Sequence, residues 1–231
     1  MKVLIISDTH GIHGQLTDKH LDGVDCVIHA GDASNYRAAY MNESEMRNFL
    51  SWFESIKVKT KIYVPGNHDS SIEEGLVTKE NFNDLGIVLL NHEHFVLTSE
   101  LKSYNLFGSP YTPTFGNWSF MKNRHKLEQV WKSIPEDTNI LITHGPPKGI
   151  LDLSKDRDGK LEFCGDKSLL NRVLEIKPDY HIFGHIHNFE DITNSGEMKI
   201  SNLNTRFINA SCVTDRKFSH GLTSYGTIIE L

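Results

Sequence analysis

Short apolar runs and amphipathic stretches alternate along the first third of the chain. Lys2 to Ser7 is one β-branched run, Cys26-Val27-Ile28-His29-Ala30 a second, and Lys61-Ile62-Tyr63-Val64 a third. Runs of this length with little polar alternation predict strands buried on both faces. Between the second and third, Ala38 to Ile56 carries Met46, Phe49, Leu50 and Phe53 at helical spacing. Strand–helix–strand order predicts parallel strands in one sheet.

The middle of the chain reads differently. Ile87 to Leu90, His94 to Thr98 and Tyr104 to Phe107 predict short strands joined by tight turns. Gly108 to Phe120, with Pro110, Pro113, Gly116 and Trp118, predicts a loop. Helices are predicted over Asn123 to Ser133 and Asp166 to Ile176, the second ending ahead of Pro178. Asn139 to Thr143, Tyr180 to Phe183, Arg206 to Asn209 and Ser224 to Ile229 supply further strands. The polar segments 152–160 and 188–204 read as mobile surface excursions. No repeat, low-complexity tract or linker divides the sequence, and its length predicts one domain over 1–231.

Composition narrows the class. With 38% hydrophobic and 23% charged residues, the chain fits a soluble globular protein. A net charge of -6 disfavours a dedicated nucleic-acid or anionic-membrane binder. Phosphate substrates stay open, because bound cations reverse a local field. No apolar run approaches the roughly 20 residues that span a bilayer, and Met1 to Ser7 is too short for a secretory signal. Cys26, Cys164 and Cys212 are odd in number and form no Cys-x-x-Cys pair. They predict reduced thiols in a cytoplasmic protein, with Cys164 and Cys212 as buried small residues.

The 13 histidines change the picture, because several directly follow apolar runs. The first run ends in Asp8-Thr9-His10, the second in Gly31-Asp32, the third in Gly66-Asn67-His68-Asp69. Thr143-His144-Gly145 and Gly184-His185-Ile186-His187 end two more. Open α/β sheets form their sites at the carboxyl ends of strands, so five strand ends would deliver carboxylates, an amide and imidazoles to one edge. Taken alone, Asp8 and Asp32 suit helix caps or turns and His68 a turn histidine; convergence makes them candidate metal ligands. Carboxylate and imidazole without thiolate suits Mn, Fe, Zn or Ni better than Ca or Mg. Gly31, Gly66, Gly145 and Gly184 would allow sharp turns and close backbone approach beside the ions.

This ordered series resembles the calcineurin-like metallophosphoesterase superfamily. Ser7-Asp8-Thr9-His10-Gly11, His29-Ala30-Gly31-Asp32, Gly108-Ser109-Pro110, Asn117-Trp118, Thr143-His144-Gly145-Pro146-Pro147, Phe183-Gly184-His185-Ile186-His187 and Asn209-Ala210-Ser211 are most similar to its metallophosphoesterase-domain-containing subfamily. The resemblance runs from about Lys2 to Cys212, and the chain beyond lacks the subfamily's proline-rich ending. It implies an α/β fold of four layers, an αββα sandwich of two mixed β-sheets flanked by helices. It implies two divalent metal ions per chain, with manganese the expected metal. Asp8, His10 and His187 would hold the first, Asn67, His144 and His185 the second, and Asp32 would bridge them. His68 would be the catalytic histidine.

The expected reaction is hydrolysis of a small, nucleotide-like phosphodiester by a hydroxide shared between the metals. The same ligands would serve a phosphomonoesterase, a nuclease or a catalytically silent binding scaffold. Asn35, Asp69 and Thr143 are candidates to orient the histidine ligands, and Tyr111, Phe115 and Trp118 to wall a substrate pocket. His29 is expected to pack or orient. His13, His20, His92, His94, His125, His181 and His220 match no block and read as surface or core filling.

Overall fold

Alternation along the first strand divides the interior in two. In the computed structural model, which describes residues 1–99, 101–156, 158–190, 192–214 and 221–231, strand β1 (Lys2–Ile6) sends Val3 and Ile5 to one side and Leu4 and Ile6 to the other, as a period of two requires. The chain then runs through α1 (Asp18–Leu21), β2 (Cys26–His29), α2 (Ala39–Ser55), β3 (Thr60–Tyr63), α3 (Ser70–Glu73), α4 (Lys79–Asp84), β4 (Val88–Leu89), β5 (Glu93–Thr98) and β6 (Ser103–Ser109). There follow β7 (Thr112–Pro113), β8 (Met121–Lys122), α5 (Arg124–Lys132), β9 (Ile140–Thr143), β10 (Leu153–Lys155), β11 (Leu161–Phe163) and α6 (Lys167–Ile176). The last elements are β12 (Tyr180–Phe183), β13 (Gly196–Lys199), β14 (Arg206–Asn209) and β15 (Thr227–Glu230).

Two large mixed sheets form among the described residues. One has the order β15-β1-β2-β3-β4, the other β13-β14-β12-β9-β6-β5. Strands β1 to β4 run parallel, with β15 antiparallel on the edge; β14, β12, β9 and β6 are parallel, flanked by antiparallel β13 and β5. Val3, Ile5, Ile28 and Ile62 of the first sheet pack against Leu106, Ile140, Ile182 and Ile208 of the second, so the sheets lie face to face. The outer face of the first, with Leu4, Ile6, Val27 and Tyr63, takes Met46, Phe49, Leu50 and Phe53 of α2. The outer face of the second, with Phe107, Leu141, Phe183 and Phe207, takes Leu127 and Trp131 of α5 and Leu169 and Val173 of α6. This is the expected αββα sandwich. Ala38, the residue before helix α2, offers no side-chain cap, a loss of about 1 kcal/mol. Its four large apolar side chains, all buried, contribute about 1.5–3 kcal/mol each, so packing decides that the segment is helical. Helices α5 and α6 are capped by Asn123 and Asp166, each accepting from the amide three residues on.

Several sequence expectations change. The 108–120 segment is not wholly loop: β6 runs to Ser109, and β7 pairs with β8. The 152–160 excursion opens on a buried Asp152 and contains β10, which pairs with β11. Gly149 and Gly165 donate backbone N–H groups to Asp152 Oδ2, tying down the base of that hairpin. The 188–204 segment holds the edge strand β13 and a buried Asn194, whose amide clasps the carbonyls of Leu153 and His187. Cys164 is half-buried rather than buried, since it sits on the same hairpin. His220 lies outside the described residues.

The unassigned histidines His13 and His181 are core residues. Burial pushes His181 down to about 3. Thr143 Oγ1 donates to the Gly145 carbonyl, so His181 Nε2 must donate to Thr143, and Nδ1 is left without a partner. The folded state therefore keeps this imidazole neutral while the unfolded chain takes a proton near pH 6.5. Its stabilising contribution is complete above pH 6.5 and is lost as pH falls toward 3. Between pH 7.5 and 5 that loss is about 2 kcal/mol. Urea unfolding at the two pH values should show a His181→Leu variant with a pH dependence weaker by about this amount. An unchanged dependence would mean that His181 does not carry it.

Candidate metal centre

The carboxyl ends of β1, β2, β3, β9 and β12 meet at one edge of the sandwich. Asp8, His10, Asp32 and His185 there have φ of 55°, 42°, 58° and 68°. A non-glycine residue in the left-handed region costs on the order of 1–3 kcal/mol, so the loops must be over-determined. Asp8 N donates to Gly31 O, His10 N to Asp32 O, and Gly11 N to Ala33 O, knitting the first two loops together at 2.8–3.1 Å. Gly184 N donates to His144 O, and His185 N to the Asp8 carboxylate at 3.0 Å. Glycines make this approach possible in two ways. Gly31 has a φ of 103°. At Gly66 the conformation is ordinary, but an added Cβ would lie 2.2 Å from Asp32 Oδ1.

The loops gather three groups of possible ligands, each with donor atoms within 4.8 Å of one another: Asp8, His10 and His187; Asp32, His144 and His185; and His10, Asp32 and His68. His187 Nε2 lies 3.1 Å from Asp8 Oδ1 and 3.4 Å from His10 Nε2. His144 Nε2 lies 3.2 Å from Asp32 Oδ2 and 3.0 Å from Asn67 Oδ1. Asp32 therefore belongs to the group shared with His10 and to the group shared with His144. The chemistry of this donor set fits two adjacent divalent cations, which hydrolytic sites hold roughly 3.5–4 Å apart.

Two imidazoles are oriented by backbone carbonyls. His144 Nδ1 meets Ala30 O at 2.8 Å and His10 Nδ1 meets Ser34 O at 3.2 Å. A ring nitrogen against a carbonyl carries a proton, so both rings turn Nε2 toward the centre. Burial pushes His10 down to about 4 and His185 to about 3, which favours neutral rings, the form that ligates a metal. Burial raises the Asp8 carboxyl, but the hydrogen bond and charge of His187 outweigh it and hold Asp8 below the usual range. Asp32 is likewise raised by burial and brought well below that range by His144 and His68. Burial lowers His144 and Asp32 raises it, with a net rise to about 9. A cation taken up there must displace that proton.

The expected orienting residues act on backbone more than on rings. Asp69 is buried and accepts from Tyr63 Oη at 2.6 Å, Gly66 N at 2.7 Å, Asp32 N at 3.0 Å and Ser34 Oγ at 2.7 Å. It thus locks the Asp32 loop to the His68 loop. Asn35 donates from its amide to His10 O, and its own carbonyl meets His68 Nδ1 at 3.2 Å. Thr143 bonds Gly145 O and His181, so it shapes the turn after His144 rather than orienting a ligand ring. His29 sits under the ligand loops: it accepts from Gly31 N, bonds Thr9 Oγ1 at 2.9 Å and packs on Phe49 and Tyr63. The sequence reading missed Tyr63, Ser34 and Asn42. Asn42 had a signal, a polar residue on the Met46–Phe49–Phe53 stripe of α2. Buried there, it donates to His68 O at 2.7 Å and to Ser34 Oγ at 2.8 Å.

A cavity of about 780 Å³ opens over Asp32, Asn67, His185 and His187. His68, Trp118, Phe115, Phe163, Lys148 and Lys155 are among its walls. Tyr111 is absent from them, because it packs on Phe120 and His92 instead. No helix among the described residues is long and apolar enough to cross a membrane.

A family model described as calcineurin-like phosphoesterase matches residues 1–189. A UPF0046 protein of Caenorhabditis elegans is 35% identical over 224 residues, spanning 91% of this chain and 69% of that protein. Human metallophosphoesterase domain-containing protein 1 is 30% identical over 234 residues, spanning 92% of this chain and 66% of that protein. Among solved structures, a dimetal phosphatase from Danio rerio shares the fold, with a TM-score of 0.51 and 11% identity over 90% of this chain and 86% of that one. A family match over most of the length, on a chain whose strand ends gather these Asp and His side chains, places the protein in the calcineurin-like phosphoesterase family of dinuclear metal-dependent phosphate ester hydrolases.

Proposed function

We propose that the chain is a phosphodiesterase for small, nucleotide-like diesters. The observation that carries this reading is the pair of donor groups meeting at Asp32 on the floor of a cavity with aromatic and cationic walls. Asp8, His10 and His187 would hold one cation, Asn67, His144 and His185 the other, and Asp32 would lie between them. Manganese is the metal of choice, with iron, zinc or nickel also suited to the ligands. Two such ions, when bound, supply Lewis acidity and a water of lowered pKa.

The chain's own residues do the rest. Asp8 and Asp32 would bring negative charge to the cations. His68, at the cavity wall, would stabilise charge on the phosphoryl group or give a proton to the leaving oxygen. Phe115 and Phe163 offer an apolar surface to the second ester arm, and Lys148 favours an anionic substrate. Three unpaired cysteines suit the reducing cytoplasm.

The test is a metal-stripped protein restored with Mn²⁺ and assayed on bis-p-nitrophenyl phosphate, p-nitrophenyl phosphate and a short DNA. The diester should turn over fastest, and His68→Ala should slow it by about 10²–10⁴. Faster monoester hydrolysis would make the protein a phosphomonoesterase, and faster DNA cleavage a nuclease. Loss of none of the activity on chelation would remove the metal reading itself.

A further inference from the structure

The His68 ring is held on several sides, and Trp118 is part of its mount. We propose that Trp118 is a positioning residue for His68 rather than a wall that binds substrate. This inference rests on the reading of His68 as the residue that assists hydrolysis.

The main-chain N–H of His68 donates to Asp32 Oδ1 at 2.7 Å, and its carbonyl accepts from Asn42 Nδ2 at 2.7 Å. The Cα is therefore fixed relative to the metal ligands, and only the side-chain rotation remains free. Three contacts restrict that rotation. Nδ1 meets the Asn35 carbonyl at 3.2 Å, which assigns the Nδ1 proton and leaves Nε2 as the working nitrogen. The His10 ring stands edge-on at 4.8 Å between centroids. The Trp118 indole lies 4.2 Å away at 31° between planes. Of the three, the indole offers the largest surface, and an off-rotamer swing of the imidazole would have to break that contact.

Trp118 could do this only if its own loop were fixed to the loop of His68, and it is. Ser119 N donates to Asn67 O at 3.1 Å, one residue from His68. Phe120 N donates to Glu73 Oε1 at 2.8 Å, in the short helix α3 that follows His68. Pairing of β7 with β8 closes the same segment on itself. The Arg37 guanidinium lies 5.1 Å from the indole centroid, a cation–π contact that adds a further hold on the ring. A residue meant only to greet substrate needs none of these ties. A residue meant to hold an imidazole at a set angle needs them all.

The test is a double-mutant cycle on the manganese-restored protein with bis-p-nitrophenyl phosphate. Trp118→Ala should lower kcat by about 10- to 100-fold, the cost of misplacing a working group by up to about 1 Å. KM should stay within about twofold, because substrate contacts are kept. Trp118→Phe, which keeps a flat face, should recover most of kcat. In the His68→Ala background, Trp118→Ala should have no further effect, since a mount without its imidazole has nothing to hold. A raised KM with kcat kept would overturn the proposal, as would additive losses in the double variant. Trp118→Leu serves the same cycle should the alanine variant fail to fold. If His68→Ala alone leaves kcat unchanged, the reading of His68 falls and takes this inference with it. If His68→Ala is slow but Trp118→Ala acts independently of it, only the inference falls.

Discussion

Asp32→Asn should leave a folded protein that retains less than its full complement of manganese and hydrolyses its diester at least about 10²-fold more slowly. Asp32 is the one carboxylate in the groups containing His144 and His68, and it sits with His10 as well. Its Oδ1 accepts from His68 N and its Oδ2 faces His144 Nε2. Asparagine keeps the shape, and its side-chain carbonyl can still accept from His68 N. What it removes is the negative charge that two dications would share. Loss of turnover with a preserved thermal midpoint therefore reports charge rather than shape. Metal content after dialysis and kcat on the same sample decide it: wild-type values of both would strip Asp32 of its place between the cations.

The fold was legible because its buried strands are short apolar runs with no competing pattern. Cys26 to His29 and Tyr180 to Phe183 fall where their β-branched and aromatic residues predict, and α2 follows its helical stripe. The site was legible for a related reason. Strand ends are where α/β sheets expose side chains together, so Asp8, Asp32, His144 and His185 could be collected before any distance was known. Two kinds of information were not in the pattern. Local pairing in polar segments, as in β10 with β11 and in β13, depends on contacts that composition does not encode. The orientation of imidazoles was assigned to side chains such as Thr143, whereas the carbonyls of Ala30 and Ser34 do that work. A backbone carbonyl leaves no mark in a sequence, because every residue has one. Tyr63 and Ser34 were hidden likewise, since only the fold brings both onto Asp69.

Gly184→Ala should abolish diester hydrolysis almost as fully as loss of a ligand, although it adds only one methyl group. An ideal Cβ at Gly184 would lie 2.1 Å from Ser7 Oγ and 2.2 Å from Asp8 Oδ2. Both side chains are fully buried, and the Ser7 carbonyl is tied to Cys212 N at 2.9 Å, so neither has room to retreat. Overpacking of this kind costs about 1–3 kcal/mol, a fall of roughly 2–12 °C in thermal midpoint for a chain of this size. The larger effect falls on geometry. Asp8 must move, and with it the carboxylate that accepts from His185 N and faces His187. A displacement of about 1 Å at such a group costs on the order of 10² in rate. Gly14→Ala is the matched control, because a Cβ there meets nothing within 4 Å. Equal activity and equal thermal midpoints in the two variants would show that the Asp8 loop yields where its hydrogen bonds say it cannot. A Gly184→Ala protein that is folded, poor in metal and inactive would place the cost where the distances do, on the carboxylate of Asp8.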